Sequence, residues 1–360
     1  MTSSLVIAAL SLLPMNAEIS DSWTVSSSLN SLSYVENNSI YDFVKSNESD
    51  YQSGENAFTF NEFNLTSQYK NFSISYFSRY EWFFDYSKDT MALYGTTVNG
   101  TLIDTDKVYD LNLDVHHLNA EGIRLAYLYQ LKDINLYFAA SYLKGRELIE
   151  GNATGEVELT GSCGDGLECY AGDLDLSYGY SEDALFDRKV NAPKSKYGYG
   201  FDIGADWVIS EKLFASIYIQ DLLAAVVWDD APYTDASATT ATTTVENGKY
   251  KIDPVITGFE GSGDYKQTLP TKYNLLFSYQ LTEQNLIYTQ GFYSFGSTLF
   301  HLGYRFQHME STYGLKLYPV EGAIGVEFKN KYLDISITSE PFDYQDTEIF
   351  AFKFGVTIPL

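Results

Sequence analysis

The sequence predicts an all-β chain closed into a transmembrane antiparallel up-and-down β-barrel of about 14–16 strands. Three observations carry this prediction. Period-2 alternation persists far beyond the length of an ordinary strand, tight turns alternate with long polar connections, and the last strand alternates up to the final residue. The composition agrees. Of 360 residues 45% are hydrophobic, with 31 Tyr and 23 Phe against 4 Met, a bias toward strand formers. Asp and Glu outnumber Lys and Arg by 48 to 23, leaving a formal charge of −25. That balance excludes a nucleic-acid binder, which needs clustered cations to neutralise phosphates.

At the amino terminus, Leu5 to Leu13 is an apolar run followed by Pro14-Met15-Asn16-Ala17. It is too short to span a bilayer and reads as a secretory signal over residues 1–17, cleaved after Ala17. No Lys or Arg precedes it, so the usual basic start is missing. Residues 18–55, rich in Ser and Asn, are expected to form an N-terminal plug or a first strand, and residues 56–360 the barrel. Beyond residue 17 the longest apolar stretch, Leu222 to Trp228, is far short of the roughly 18–20 residues of a membrane helix. Strands that alternate are invisible to that test.

The clearest strand runs from Tyr197 to Ile209. Tyr197, Tyr199, Phe201, Ile203, Ala205, Trp207 and Ile209 share one parity; Gly198, Gly200, Asp202, Gly204 and Asp206 share the other. Such a strand has a different solvent on each face. Lipid outside and a polar lumen inside fit aromatic residues opposite Gly and Asp. Residues 72–81, 123–131, 273–281 and 300–307 repeat the pattern, placing Arg79, Glu81, Arg124, His301 and Arg305 inward with Asp202 and Asp206. Inward Phe77 and Tyr218 would line an amphipathic route.

Short turns fall at Lys70-Asn71, Lys132-Asp133, 210–212, Glu283-Gln284, 309–311 and 329–331, as hairpins require. Long acidic loops are expected at 148–195 and 229–269, and another connection at 340–346. Counting from Lys132-Asp133 puts every short turn downstream of it on one rim, the periplasmic one, and the long connections on the other. Lys70-Asn71 joins that rim if a weak strand lies within 90–103. With a first strand near 22–33 the total is then about sixteen, and about fourteen without both.

The last strand sets Phe350, Phe352, Phe354, Val356, Ile358 and Leu360 on one face. This resembles the terminal signal by which outer-membrane proteins engage the barrel-assembly machinery, here over residues 347–360. The implied home is the Gram-negative outer membrane, with its lipid and lipopolysaccharide as surroundings.

Chemistry-bearing motifs are few. Cys163 and Cys169, within an acidic loop of an oxidising compartment, are expected to form a disulfide. Their spacing excludes a C-x-x-C redox pair, and only Asp165 and Glu168 stand nearby as metal ligands, so no metal site and no cofactor are expected. Neither G-x-S-x-G nor H-E-x-x-H occurs around His116, His117, His301 or His308, and no enzymatic activity is expected. The inward charges Arg79, Glu81, Arg124, Asp202, Asp206, His301 and Arg305 have two readings. They are a constriction that selects solutes by charge, or a paired network that closes the lumen.

Gly200-Phe201-Asp202-Ile203-Gly204-Ala205, then Glu211-Lys212-Leu213, Ile219-Gln220-Asp221-Leu222 and Trp228, with Thr268-Leu269-Pro270-Thr271-Lys272-Tyr273 later, resemble the FadL-like superfamily of outer-membrane barrels, including its TraF-like branch. The resemblance spans about 50 residues over 196–230 and 268–281. It implies a fourteen-stranded barrel with an N-terminal hatch and hydrophobic cargo. The Asn-Pro-Ala signature near the mature FadL terminus is absent here, which separates this chain from fatty-acid transport itself. The expected role is a pore or transporter for small or hydrophobic solutes. The alternative is a structural barrel of a secretion, conjugation or surface-polymer apparatus, with a protein partner docked on its large loops.

Overall fold

Alternation along this chain becomes strands whose two faces meet different surroundings. In chain order the elements are β1 (Trp23–Val35), α1 (Ile40–Lys45), β2 (Asn56–Tyr69), β3 (Phe72–Tyr86), α2 (Lys88–Asn99), β4 (Val108–Gln130), β5 (Ile134–Gly164), β6 (Leu167–Tyr180), β7 (Lys194–Val208) and β8 (Leu213–Thr239). They continue with β9 (Thr243–Glu246), β10 (Lys249–Ile252), β11 (Val255–Thr268), β12 (Lys272–Gln280), β13 (Asn285–Ser294), β14 (Ser297–His308), β15 (Ser311–Tyr318), β16 (Ala323–Lys329), β17 (Leu333–Ser339) and β18 (Ile349–Pro359). The computed structural model describes residues 11–15, 21–101, 107–164, 167–183, 185–186, 188–240, 243–246, 249–252, 255–340 and 346–360, without the side chains of 159–170 and 243–252.

Fourteen strands, β1–β5, β7, β8 and β12–β18, form a closed antiparallel wall. The first strand pairs with the last, Thr24 opposite Pro359, and this pairing closes the barrel. The wall thus begins at Trp23 and includes part of the 18–55 segment. Among the described residues of 90–103 no strand forms: Lys88–Asn99 is a helix, capped by the Ser87 side chain accepting from the Thr90 N–H and ended by Gly100 at φ 62°. The count is fourteen because Val108–Gln130 runs as one 23-residue strand, which also puts the Lys70-Asn71 turn on the short-turn rim. Lys70 reaches the φ of 52° that such a tight turn needs.

The segments expected as long loops are mostly strand. β5 runs 31 residues and β8 runs 27, both past the wall, where β6 pairs with β5 and with β8 while β11 pairs with the other edge of β8. The Thr-rich end of β8 belongs to this sheet. On β5 and β6 the parity of Asn152, Thr154, Asp173 and Asp175 is exposed and polar, while the other, with Ala153, Val157, Leu174 and Leu176, is half-buried; the short alternation Asp173-Leu174-Asp175-Leu176 is the signal that the loop reading passed over. The disulfide expected between Cys163 and Cys169 falls on side chains outside the described residues.

The barrel's outer face carries Phe72, Ile74, Leu125, Phe201, Trp207, Phe277 and Leu302, all exposed, while Asp202 and Asp206 on the same β7 strand are each 1% exposed. Among the described residues no helix is long and apolar enough to cross a membrane. The two helices instead sit at the long-connection mouth, where Phe43, Tyr51 and Tyr94 pack beside buried Val35, Ala57, Tyr86 and Met91.

Inside, the lumen is apolar in several places where inward charge alone had suggested a polar channel. Near the short-turn end, Ala126, Leu128, Tyr137, Ala139 and Tyr218 form one cluster and Phe214, Leu276, Leu286 and Tyr288 another. Residues of the amino-terminal segment lie among them: Leu13 and Met15 are buried there, and the Leu12 N–H donates to Ser216 Oγ at 3.1 Å. Higher up, Phe77, Leu118, Leu143, Leu148, Val226 and Trp228 form a third cluster, and Tyr34, Phe58, Phe83, Leu299, Tyr318 and Ile349 a fourth.

Candidate functional site: a charged belt across the lumen

Between these apolar clusters the inward parity places charges from six strands. β2 supplies Glu62, β3 Arg79 and Glu81, β4 Arg124, β7 Asp202, β8 Asp221 and β12 Lys272; all seven are buried. Plain alternation explains six of them. Asp221 is different, because it follows inward Gln220 directly and strict alternation would aim it at lipid. It turns inward because Asp221 and Leu223 adopt φ of 62° and 55°, a bulge where the β7–β8 register slips. Leu223 keeps the outward direction that alternation gives it, 74% exposed.

The resulting contacts are dense. Arg79 Nη1 donates to both oxygens of Asp221 at 2.8 and 2.9 Å, Arg79 Nη2 to Glu62 Oε2 at 2.7 Å, and Arg79 Nε lies 3.1 Å from Glu81 Oε1. Lys272 Nζ lies 2.8 Å from Asp221 Oδ2 and 3.1 Å from Glu81 Oε2. Arg124 Nε meets Asp202 Oδ2 at 2.9 Å, and Arg124 Nη2 lies 3.5 Å from Glu62. Gln220 donates to Glu62 at 3.0 Å, and the Tyr218 hydroxyl and Asp221 N–H both donate to Asp202. Aromatic rings cover the cations: Arg124 lies 4.9 Å from the Phe77 centroid, and Lys272 5.1 Å from that of Phe60. Three cations and four carboxylates thus pair across the lumen, from β2 and β3 to β8 and β12, with Glu81 and Arg124 Nε held in ion pairs without hydrogen-bond geometry.

Of the inward residues read from the sequence, Arg79, Glu81, Arg124 and Asp202 meet in this belt. Arg305 belongs to a second cluster, with Glu327 at 2.8 Å, Lys316 on the same carboxylate at 2.8 Å and the Tyr288 hydroxyl donating at 2.9 Å. His301 packs nearby between the rings of Tyr288 and Tyr318. Asp206 stands apart, accepting from Ser216 Oγ at 2.6 Å beside the amino-terminal segment. Glu62, Lys272, Glu327 and Lys316 were missed although each sits on an inward parity. Asp221 had no signal, since the bulge that aims it is invisible to alternation.

At the outer mouth Glu348 lies just before β18, outside the wall. Burial first, then the neighbouring Glu340, push its carboxyl up from 4.5 to about 7. Its carbonyl accepts from the Val35 N–H, and that of Thr347 from the Ile40 N–H, tying this connection to the start of α1. Among the described residues no three His, Cys, Asp or Glu side chains converge as a metal ion would need.

No family model matches the chain, and no curated protein does. Several solved structures align with most of its length. A CymD monoaromatic hydrocarbon channel aligns over 95% of this chain and 89% of its own, at 8% identity and a TM-score of 0.42. A Ralstonia pickettii toluene transporter, TbuX, aligns over 98% and 92% at 10% identity and 0.38. A Pseudomonas aeruginosa FadL homologue, of the group that the sequence resembles, aligns over 94% and 90% at 10% identity and 0.27.

Proposed function

We propose that this protein is an outer-membrane barrel that passes small hydrophobic solutes without an open aqueous path. The observation that carries the reading is the lumen itself. Its walls are lined by apolar and aromatic clusters at both ends, and a belt of mutually paired charges separates them. A porin-type conduit for ions needs continuous water, and the belt's charged side chains, at 0–5% exposure, are almost out of its reach. Apolar rooms favour apolar cargo, and the burial of Leu13 and Met15 in the lower one illustrates the chemistry it accepts. Removal of residues 1–17 as a leader would vacate that room, whereas retention would leave it plugged; the mass of the mature amino terminus separates the two.

The paired belt also favours the second reading, a structural barrel of an envelope apparatus, because such a barrel needs no path. One experiment separates them. Cells producing the protein should accumulate a small labelled aromatic hydrocarbon faster than cells without it, while the purified barrel stays silent in planar bilayers. Filling the lower room with Ala139→Trp should abolish the gain in uptake. Steady ohmic conductance would overturn the proposal; silence without uptake, with a protein partner co-purifying, would favour the assembly role.

A further inference from the structure

Above the wall, β5, β6, β8 and β11 continue as a four-stranded sheet whose register places side chains in rows. Asn152, Ser177, Asp235 and Phe259 lie opposite one another in one row; Thr154, Asp175, Ser237 and Thr257 form the next. Each row takes the same parity on every strand, so the eight side chains share one face. Below Asn152 on that parity come Glu150, which accepts from the Tyr265 hydroxyl at 2.7 Å, and then Leu148 in the upper lumen cluster. The face therefore continues the lumen wall and looks over its mouth. Residues of both rows line a shallow cup of about 490 Å³.

Two cross-strand hydrogen bonds organise it. Ser177 Oγ donates to Asp235 Oδ1, and Ser237 Oγ to Asp175 Oδ1, both at 2.5 Å. Each carboxylate is oriented by its serine and keeps its second oxygen for a ligand. Asn152, Thr154 and Thr257 add neutral donors and acceptors, and the Phe259 ring, 63% exposed, borders the group.

We propose that this platform binds a neutral saccharide of about two rings. Vicinal sugar hydroxyls can donate to the carboxylates of Asp175 and Asp235, giving charge-assisted hydrogen bonds. The serine, threonine and asparagine groups suit the remaining hydroxyls, and the apolar C–H face of a ring suits Phe259. Three strand spacings span roughly 14 Å and the two rows roughly 7 Å, a footprint for two linked rings. An anionic ligand is disfavoured by the carboxylates, and a bare divalent cation by the lack of three converging acidic ligands among the described residues. The site is independent of the cargo passing through the lumen, so hydrocarbon uptake and sugar binding can fail separately.

The test titrates maltose, cellobiose and chitobiose into the full chain in nanodiscs, followed by saturation-transfer NMR and calorimetry. At least one should bind saturably in the millimolar range. Asp175→Ala and Asp235→Ala should each weaken it fivefold or more, and Phe259→Ala several-fold, while Glu283→Gln in a distant turn changes nothing. Ser177→Ala and Ser237→Ala, which keep both carboxylates, should weaken it about two- to threefold and serve if the aspartate variants lose heat-modifiable mobility. Absence of saturable binding to all three sugars, indifference to these substitutions, or sugar binding that EDTA abolishes would overturn the proposal.

Discussion

Arg79 and Asp221 stand 142 residues apart in the sequence and face each other across the lumen in a bidentate pair. The pair joins β3 to β8, strands that are not neighbours in the wall, so it braces the barrel through its interior. The same Asp221 also holds Lys272, and its loss takes a carboxylate partner from two buried cations, leaving them to share Glu62 and Glu81.

Asp221→Ala should therefore destabilise the barrel strongly, by about 3–5 kcal/mol, the usual consequence of breaking a buried pair from one side. Asp229→Ala, which removes a partner of half-exposed Lys196, should cost about 0–1 kcal/mol. Urea titration followed by the heat-modifiable gel band measures both; equal effects would contradict the belt's role.

Packing in the second cluster depends on a missing side chain. A Cβ at Gly303 would overlap the ring of Tyr288, whose face lies against Arg305 and whose hydroxyl donates to Glu327. Gly303→Val should lower stability by about 1–3 kcal/mol, as overpacking does. At Gly355 the nearest side-chain atom is 3.5 Å away, and Gly355→Ala should be tolerated.

Glu348 gives the outer mouth a pH dependence of definite sign. Its folded carboxyl titrates near 7 against an ordinary 4.5. Below 4.5 both folded and unfolded states are protonated and the contact has its full strength. As pH rises from 4.5 to 7 only the unfolded state ionises freely, so stability falls, and above 7 it levels off. Hydrogen exchange at the Val35 and Ile40 amides, corrected for intrinsic rate, should be faster at pH 8 than at pH 5. Glu348→Gln should remove the difference.

Outward residues answer to lipid. Leu125→Arg places a cation on the exposed face of β4 and should cost about 2–4 kcal/mol near the bilayer midplane. Folding titrations into lipid vesicles measure it, and a neutral result would argue that this face does not meet hydrocarbon.

The wall was legible because its two solvents impose alternation. Tyr197 to Ile209 declares lipid and lumen residue by residue, and the two-residue turn at Lys70-Asn71 fixes a hairpin. What stayed hidden had physical reasons. The sheet of β5, β6, β8 and β11 carries few large apolar residues and one exposed acidic face, so it reads as acidic loop despite the alternation from Asp173 to Leu176. Asp221 depends on a bulge with positive φ, which no periodicity reveals. Arg79, Arg124 and Asp202 could be placed inward, but parity does not say which inward charges meet across the lumen. That pairing, and the separation of Arg305 from the belt, come from the closure of the whole barrel.

That closure joins Thr24 to Pro359 and Tyr34 to Ile349. The first wall strand synthesised must therefore wait, one edge bare, until the last strand has been made. Contacts of such sequence separation are slow to form and leave strand edges exposed to wrong partners meanwhile. A chain truncated before Ile349 would keep thirteen of its fourteen wall strands and still be an open, sticky sheet, because the seam is sewn only by β18.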